Sequence, residues 1–220
     1  MEQFIYWSSL LEKCSEQIGV HLQADQLKQF MVYLEQLQTW NRSVNLTSIT
    51  LAEEIVVKHF VDSIAVLTAE PIKHASRLLD VGTGAGFPGI PLKIARQDLR
   101  ITLIEPVQKK VSFLCSIVGL LRLENANIFY GTLEQFMAKS DPEHAFDYVT
   151  TRALKYDVIL REGSKLLAPG GRAIIYSSHP INYFEIEKGW SLVTEHGFDL
   201  PMGFGRRVIS ILSPSQRLDA

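Results

Sequence analysis

The sequence is poor in cysteine and has no long apolar segment. Its two cysteines, Cys14 and Cys115, form neither a disulfide framework nor a metal-binding spacing, so we expect free thiols in a reducing compartment. No run of about 18 uncharged apolar residues occurs, and this excludes a predicted membrane span. The first residues lack the basic start and apolar core of a signal peptide. These absences predict a cytoplasmic protein.

The net charge is also small. At −2 it does not by itself indicate a nucleic-acid-binding protein. No set of His, Cys, Asp and Glu has the spacing of a metal site, so no metal is predicted. A chain of 220 residues with 46% hydrophobic content is long enough for one α/β domain with an appendage. The sequence favours a monomer that does not bind a membrane.

The most informative segment is residues 77–91. A short apolar strand that contains Asp80 is followed by the alternate glycines Gly82, Gly84 and Gly86, and then by an amphipathic run. This pattern predicts a strand, a loop and a helix, in which the glycine backbone approaches a ligand and the helix offers unpaired N–H groups. The Asp80 carboxylate would repel a phosphate and attract a cationic or hydroxylated ligand. We therefore predict a site for S-adenosylmethionine.

A dinucleotide site is the competing interpretation. Residues 84–89 also fit the pattern G-x-G-x-x-G, and Glu105 follows at about the distance expected of a ribose-binding carboxylate. Two features disfavour this alternative: the loop already begins at Gly82, and Asp80 would face the phosphates.

Residues 1–75 are predicted to form an N-terminal helical cap. Amphipathic helices are expected at 5–18, 25–40 and about 52–68, because apolar residues recur there at helical spacing. The polar segment 41–48 is interpreted as a break between the second and third helices.

Residues 76–220 alternate between strands and helices, which predicts an α/β domain with a mostly parallel sheet. Strands are expected at 77–81, 100–104, 126–130, 146–150, 172–177, 191–198 and 207–212, and helices at about 89–96, 107–121, 132–139 and 155–167. The last two strands are predicted to form an antiparallel hairpin, and residues 165–172 a helix stop with a tight turn. The predicted fold is a Rossmann-like seven-stranded sheet, the ending of which is typical of a methyltransferase.

Several segments resemble the glucose-inhibited division protein B family, which methylates guanine N7 in bacterial small-subunit ribosomal RNA. The resemblance lies in residues 40–49, 58–64 and 80–92, more weakly in 109–114 and 150–153, and spans about 25–176. The strings Asn-Leu-Thr and His-x-x-Asp-Ser in the cap are more specific than the glycine loop. The resemblance implies a class I S-adenosylmethionine-dependent methyltransferase fold, with 16S ribosomal RNA or the small subunit as partner.

A methyl-donor site follows from these interpretations. The methionine part of the methyl donor would lie against Gly82, Gly84 and Gly86, and its amino group would donate a hydrogen bond to Asp80. Phe87 would form part of the pocket wall. Glu105 would bind the ribose hydroxyls. By resemblance, Leu133 and Glu134 flank the adenine and Arg152 contacts the donor. The alternatives are structural: Asp80 caps the loop, Phe87 packs in the core, Glu105 is a surface carboxylate, residues 132–135 only start a helix, and Arg152 pairs with a carboxylate.

The cap residues Asn41, Asn45, His59 and Asp62 are candidates for substrate binding. His59 and Asp62 are three residues apart, so they share a helix face and can pair. An equally good interpretation is that all four lock the cap onto the sheet.

The chain departs from the family in two places. After the fifth strand the family usually carries Lys-Gly, whereas this chain has Tyr-Ser-Ser-His-Pro at 176–180, so either His179 or Arg206 takes that role or the role is lost. Where the family usually has Asp, this chain has Glu105. Basic residues are candidates for phosphate contacts: Lys93, Arg96, Lys109, Lys110, Arg122, Arg206 and Arg207. A methyltransferase for a small molecule or a protein, and an inactive RNA-binding relative, stay open as alternatives. No catalytic residue is predicted, because guanine N7 has no proton to remove.

Overall fold

The computed structural model describes residues 2–139, 146–152, 156–181 and 189–215. Ala153 and the predicted start of a helix at residue 155 lie outside these ranges.

The N-terminal part is helical, as predicted. Its elements are α1 (Glu2–Gln17), α2 (Ala24–Val44), α3 (Ala52–Ile55), a π-helix (Val56–Val61), α4 (Asp62–Ile64) and α5 (Val66–Ala69). The predicted helix 25–40 ends four residues too early, because α2 continues through the first part of the polar segment. It ends where Asn45 adopts a left-handed conformation with φ 54°, a conformation that asparagine tolerates well.

Among the described residues, the rest of the chain forms a seven-stranded sheet with four further α-helices and a short 3-10 helix, Pro201–Gly203. The strands are β1 (Arg77–Val81), β2 (Arg100–Glu105), β3 (Ala126–Tyr130), β4 (Phe146–Thr151), β5 (Leu167–Ser177), β6 (Trp190–Asp199) and β7 (Arg206–Pro214). The helices are α6 (Gly89–Ala95), α7 (Gln108–Leu120), α8 (Leu133–Lys139) and α9 (Asp157–Leu166). The strand order is β3-β2-β1-β4-β5-β7-β6.

Pairing within the sheet confirms the predicted topology. Strands β1 to β5 pair in parallel, whereas β7 is antiparallel to both β5 and β6. The order reverses between β1 and β4, so their carboxyl ends border the crevice in which open α/β sheets bind ligands.

The predicted tight turn within residues 165–172 is wrong. Strand β5 begins directly after α9, and the segment forms an irregularity inside the strand. Phe146 pairs with Leu167 while Tyr148 pairs with Arg172, so β5 has extra residues relative to β4. Gly170, with φ 77°, accommodates this bulge.

Side chains alternate between the two faces of the sheet, and each face has its own core. Leu78 packs on the face that carries α6, α7 and the N-terminal helices. Leu79 packs on the other face, against α8 and α9. The first core runs without interruption from the N-terminal helices into the sheet. The division into domains at residue 75 stays a prediction.

Tyr33 of α2 docks the cap onto the glycine loop. Its ring stacks on Phe60, Phe87 and Phe113 with centroid distances of 5.2, 5.5 and 6.2 Å. Its buried hydroxyl donates a hydrogen bond of 2.5 Å to the carbonyl oxygen of Ala85. One residue therefore joins the cap, the loop and α7.

Within the described part of the chain, none of the helices has both the length and the apolar character needed to cross a membrane.

We expect Tyr33→Phe to lower the free energy of unfolding by about 1–2 kcal/mol. The ring contacts persist, but the buried carbonyl of Ala85 loses its donor. Urea unfolding measures the effect, with Tyr6→Phe as the matched control, because Tyr6 is 56% exposed. Equal stability of the two variants would show that the hydroxyl contributes nothing to docking.

Candidate functional site

Asp80 organises the loop that follows β1. Its side chain is fully buried, and its Oδ2 accepts hydrogen bonds from Thr83 Oγ1 at 2.6 Å and from the Gly89 amide at 2.8 Å. A Cβ at Gly89 would collide with Leu103 and with Asp80. The carboxylate therefore holds the start of α6 against the loop, which is the capping alternative considered for this residue.

The second oxygen of Asp80 has spare capacity. Oδ1 is buried and has no hydrogen-bond partner among the described residues. Burial raises the pKa of this carboxyl to about 6, although the bonds from Thr83 and Gly89 act in the opposite direction. The predicted contact of Asp80 with an amino group stays a prediction, and this free acceptor is compatible with it.

Glu105 connects the end of β2 to the glycine loop. Oε2 accepts from the Gly84 amide and Oε1 from the Val107 amide, each at 2.9 Å. The side chain is only 3% exposed, so the alternative of a surface carboxylate is wrong. Its predicted role in ribose binding stays a prediction.

A cavity of about 380 Å³ lies between the loop, the end of β2 and the cap. This volume falls within the range of small-molecule sites. The lining combines both parts of the chain and consists of Leu46, Thr47, His59, Gly82, Thr83, Gly84, Ala85, Phe87, Glu105, Pro106, Val107, Lys110 and Arg152. The position at the reversal of strand order is where α/β sheets place ligands.

Arg152, directly after β4, joins the cap to the sheet. Its Nη2 lies 2.7 Å from His59 Nδ1, and its Nη1 lies 3.2 Å from Asp62 Oδ2 and from Ser63 Oγ. The guanidinium also lies 4.9 Å from the ring centroid of Phe87. The predicted alternative, pairing with a carboxylate, is therefore present. Arg152 lines the cavity as well, so the donor contact stays a prediction.

His59 is placed in the cavity wall by the π-helix. Its ring stacks on Phe87 at 4.4 Å with an interplanar angle of 18°, and Nε2 lies 2.9 Å from Thr47 Oγ1. Burial, with the neighbouring Arg152 guanidinium, lowers the pKa of His59 well below its usual value. The ring is therefore neutral at physiological pH.

Asp62 lies between two arginines. Besides Arg152, Arg207 of β7 approaches it, with Nε 3.7 Å from Oδ1. Burial raises the pKa of Asp62, and both cations oppose that rise. His59 and Asp62 thus meet at Arg152 instead of pairing with each other. This arrangement supports the interpretation that they lock the cap, and their contact with a substrate stays a prediction.

The two asparagines of the cap have structural tasks. Asn41 Nδ2 donates to the Thr47 carbonyl and Asn41 Oδ1 accepts from the Thr47 amide, both at 2.9 Å. Asn45 is the exposed C-cap of α2. Their predicted contact with a substrate stays a prediction.

Two predicted adenine neighbours lie outside the cavity lining. Leu133 is buried in the second core, and Glu134 is exposed at the start of α8. Thr132 and Gln135 form the reciprocal cap of that helix, as the alternative expected. Gly86 also lies outside the lining, since a Cβ there would press against Ile90 and Tyr33. The roles of these residues in donor binding stay predictions.

The predicted phosphate contact of Lys93 is wrong, and that of Arg96 stays a prediction. Lys93 is 2% exposed, and its Nζ donates to the carbonyl oxygens of Gln97 and Leu99. Arg96 pairs with Asp98 at 2.8 Å and donates to the Ile72 carbonyl. Both cations stabilise the turn that leads into β2.

Thr47 and Thr83 are site residues that our sequence analysis does not single out. Thr47 was visible only as part of the Asn-Leu-Thr string, and Thr83 only as a position between two glycines. Lys110 lines the cavity, whereas it was predicted only as one of several cations. Within the described residues, no group of three or more His, Cys, Asp or Glu side chains is arranged to hold a metal ion.

The sheet order, the antiparallel ending and the glycine loop define the class I methyltransferase fold. TrmN from Thermus thermophilus is similar, with TM-score 0.56 and 16% identity over 70% of this chain and 48% of that one. The ribosomal protein L11 methylase from Lactobacillus delbrueckii subsp. bulgaricus gives TM-score 0.52 and 15% identity over 72% and 79% of the two chains. At this identity the similarity concerns the fold alone.

The family model of the rRNA small subunit methyltransferase G, GidB, matches residues 26–193. The chain belongs to this family. The Ribosomal RNA small subunit methyltransferase G of Clostridium perfringens is 39% identical over 153 residues, which are 70% of this chain and 64% of that protein. That of Lachnoclostridium phytofermentans is 42% identical over 145 residues, 66% and 60% of the two chains. The chain thus spans less than two thirds of these relatives.

We expect Asp80→Asn to change the pH dependence of folding. The folded chain raises the pKa of this carboxyl from 3.8 to about 6, so the unfolded chain ionises it at lower pH. Ionisation therefore destabilises the wild type progressively between about pH 4 and 6, by up to ~3 kcal/mol. Asparagine cannot ionise, so the stability of the variant relative to wild type should rise across this window in urea titrations. A difference that is independent of pH contradicts the prediction.

Proposed function

We propose that the chain transfers a methyl group from S-adenosylmethionine to N7 of a guanine in small-subunit (16S) ribosomal RNA. The observation that supports this proposal most directly is the 380 Å³ cavity. It is lined both by the glycine loop and by residues of the Asn-Leu-Thr and His-x-x-Asp-Ser segments of the cap, through which the chain resembles the family. We expect the chain to act on this RNA in the cytoplasm, as a monomer.

The residues around the loop fit the methyl donor. A Cβ built on Gly84, with φ 64°, meets no atom within 4 Å, so the loop leaves open space where a ligand can lie against the backbone. The free Oδ1 of Asp80 suits an ammonium group, directly or through water. Gly82, Gly84, Gly86, Phe87 and Glu105 would surround the methionine and ribose, Leu133 and Glu134 the adenine, and Arg152 the end nearest the cap. When bound, S-adenosylmethionine supplies an activated methyl group on a positively charged sulfur.

Chemistry at guanine N7 would explain why the described residues of the cavity include no nucleophile activated by a base. N7 has an available lone pair and no proton, so no general base is required. His59 is neutral, but both of its ring nitrogens already have hydrogen-bond partners, Nδ1 with Arg152 and Nε2 with Thr47, so neither nitrogen is free to act as a base. The work of the chain is therefore to align N7 with the methyl group and to exclude water.

RNA binding would use cations at the mouth of the cavity and beyond it. Lys110 lines the cavity, and the other exposed candidates are Lys109, Arg122, Arg206 and His179. Such residues contact phosphates and fix the register of the RNA, while the cavity receives an unpaired base.

Donor binding is tested by a pair of glycine variants. Gly84 and Gly170 both have positive φ, at 64° and 77°, and both have free space for a Cβ. Alanine should therefore cost each about 1–2 kcal/mol of stability. Only Gly84 lines the cavity, so calorimetric titration with S-adenosylmethionine should show binding about tenfold weaker, ~1.4 kcal/mol, in Gly84→Ala alone. Equal affinities in the two variants would place the donor elsewhere.

The substrate is tested with labelled S-adenosylmethionine and small subunits that lack the modification. We expect label on N7 of one guanine of the small-subunit RNA. Donor binding without RNA methylation would indicate a methyltransferase for another substrate. RNA binding without donor binding would indicate an inactive relative.

A further inference from the structure

The hydrogen bonds of Arg152 determine which nitrogen of His59 carries the proton. A guanidinium only donates hydrogen bonds, so His59 Nδ1, 2.7 Å from Arg152 Nη2, accepts one. The neutral ring therefore carries its proton on Nε2. That N–H points to Thr47 Oγ1 at a distance of 2.9 Å.

The same reasoning determines the direction of the Thr47 hydroxyl. Its oxygen accepts from His59 Nε2 and from the Ile49 amide, which is 3.1 Å away. Both lone pairs are then occupied, so the hydroxyl proton is left to donate. No acceptor for this proton exists among the residues that the structure describes, and Thr47 lines the cavity.

The backbone of Thr47 is also fixed. Asn41 holds both its amide and its carbonyl at 2.9 Å. The hydroxyl is consequently a hydrogen-bond donor with a defined position and a defined direction. A chain of contacts maintains it, from Arg152 after β4 through His59 of the π-helix to Thr47.

We propose that Thr47 selects guanine by donating a hydrogen bond to its O6 atom. This inference rests on the proposed function. The edge of guanine that carries N7 presents two neighbouring acceptors, N7 and O6, whereas adenine presents an amino donor in place of O6. A donor fixed beside the methylated nitrogen therefore accepts guanine and opposes adenine. His59 and Arg152 are positioning residues that orient this donor.

The test combines Thr47→Val with an altered base. Valine keeps the shape and removes the hydroxyl, and Thr47→Ser is the matched control that retains it. Each protein is assayed on small-subunit RNA with guanine, or with 2-aminopurine, which lacks O6 and keeps N7, at the position that the wild type methylates. Thr47→Ala serves as a second variant if thermal unfolding shows that Thr47→Val is not folded.

We expect Thr47→Val to lower kcat/KM on guanine about tenfold, with unchanged affinity for S-adenosylmethionine. The wild type and Thr47→Ser should lose a similar factor on 2-aminopurine, and Thr47→Val should lose no more, because the contact is already absent. A purely structural role would instead give the same 2-aminopurine penalty in all three proteins.

Three outcomes would overturn the inference. Additive effects of variant and base would show that the hydroxyl does not contact O6. A loss of affinity for S-adenosylmethionine in Thr47→Val would show that the hydroxyl contacts the methyl donor and not the base. If the wild-type protein methylates no guanine of this RNA, both the proposed function and this inference are refuted. The first two outcomes differ from this one because in both of them the wild-type protein is active.

Discussion

The site depends on the burial of one guanidinium. Arg152 carries a positive charge and its side chain is only 13% exposed, so its contacts must compensate for the water that it has lost. The carbonyl oxygens of Lys58 and His59 lie 3.3 Å from its Nη1, close to the Asp62 carboxylate. All of these acceptors belong to the cap. Separation of the cap from β4 would remove all of these acceptors from Arg152, so these contacts help to hold the two walls of the cavity together.

The π-helix presents these acceptors, and its neighbours hold it in place. Ser63 Oγ donates to the His59 carbonyl, and the buried hydroxyl of Tyr176 in β5 donates to the Ser63 carbonyl at 2.7 Å. Single turns of π-helix are rare and are often found at functional sites. Here the element places an imidazole over Phe87 while its backbone faces Arg152. The locking of the cap and the shaping of the cavity are therefore properties of the same residues, and the two interpretations of His59 do not exclude each other.

Local patterns predicted the glycine-loop side of the cavity better than the cap side. The glycine loop, Asp80 and Glu105 follow from one strand, one loop and the next strand, so their positions depend on neighbouring residues. The contacts of Asn41 with Thr47, and of Thr47 with His59, depend on how α2 and the π-helix pack, which periodicity does not encode. Lys93 shows the reverse error: its charge suggested a surface role, while its position between Leu92 and Ile94 already indicated a buried face of α6. The extra length of α2 was missed because Asn41 and Ser43 are typical of turns and yet are tolerated in a last helical turn.

Asp80 and Glu105, the two carboxylates that contact the glycine loop, can keep their observed hydrogen bonds and still have acceptor positions for a ligand. An ionised carboxylate has about four acceptor positions. Glu105 uses two of them for the amides of Gly84 and Val107, one on each oxygen, so each oxygen retains a position for a further hydrogen bond. Asp80 accepts hydrogen bonds only through Oδ2. Its Oδ1 is buried without a donor among the described residues, which is energetically unfavourable. A cationic donor group or an ordered water at that oxygen would relieve this cost. Asp80 Oδ1 can therefore accept a further hydrogen bond, and Glu105 has acceptor positions left beside the contacts that shape the loop.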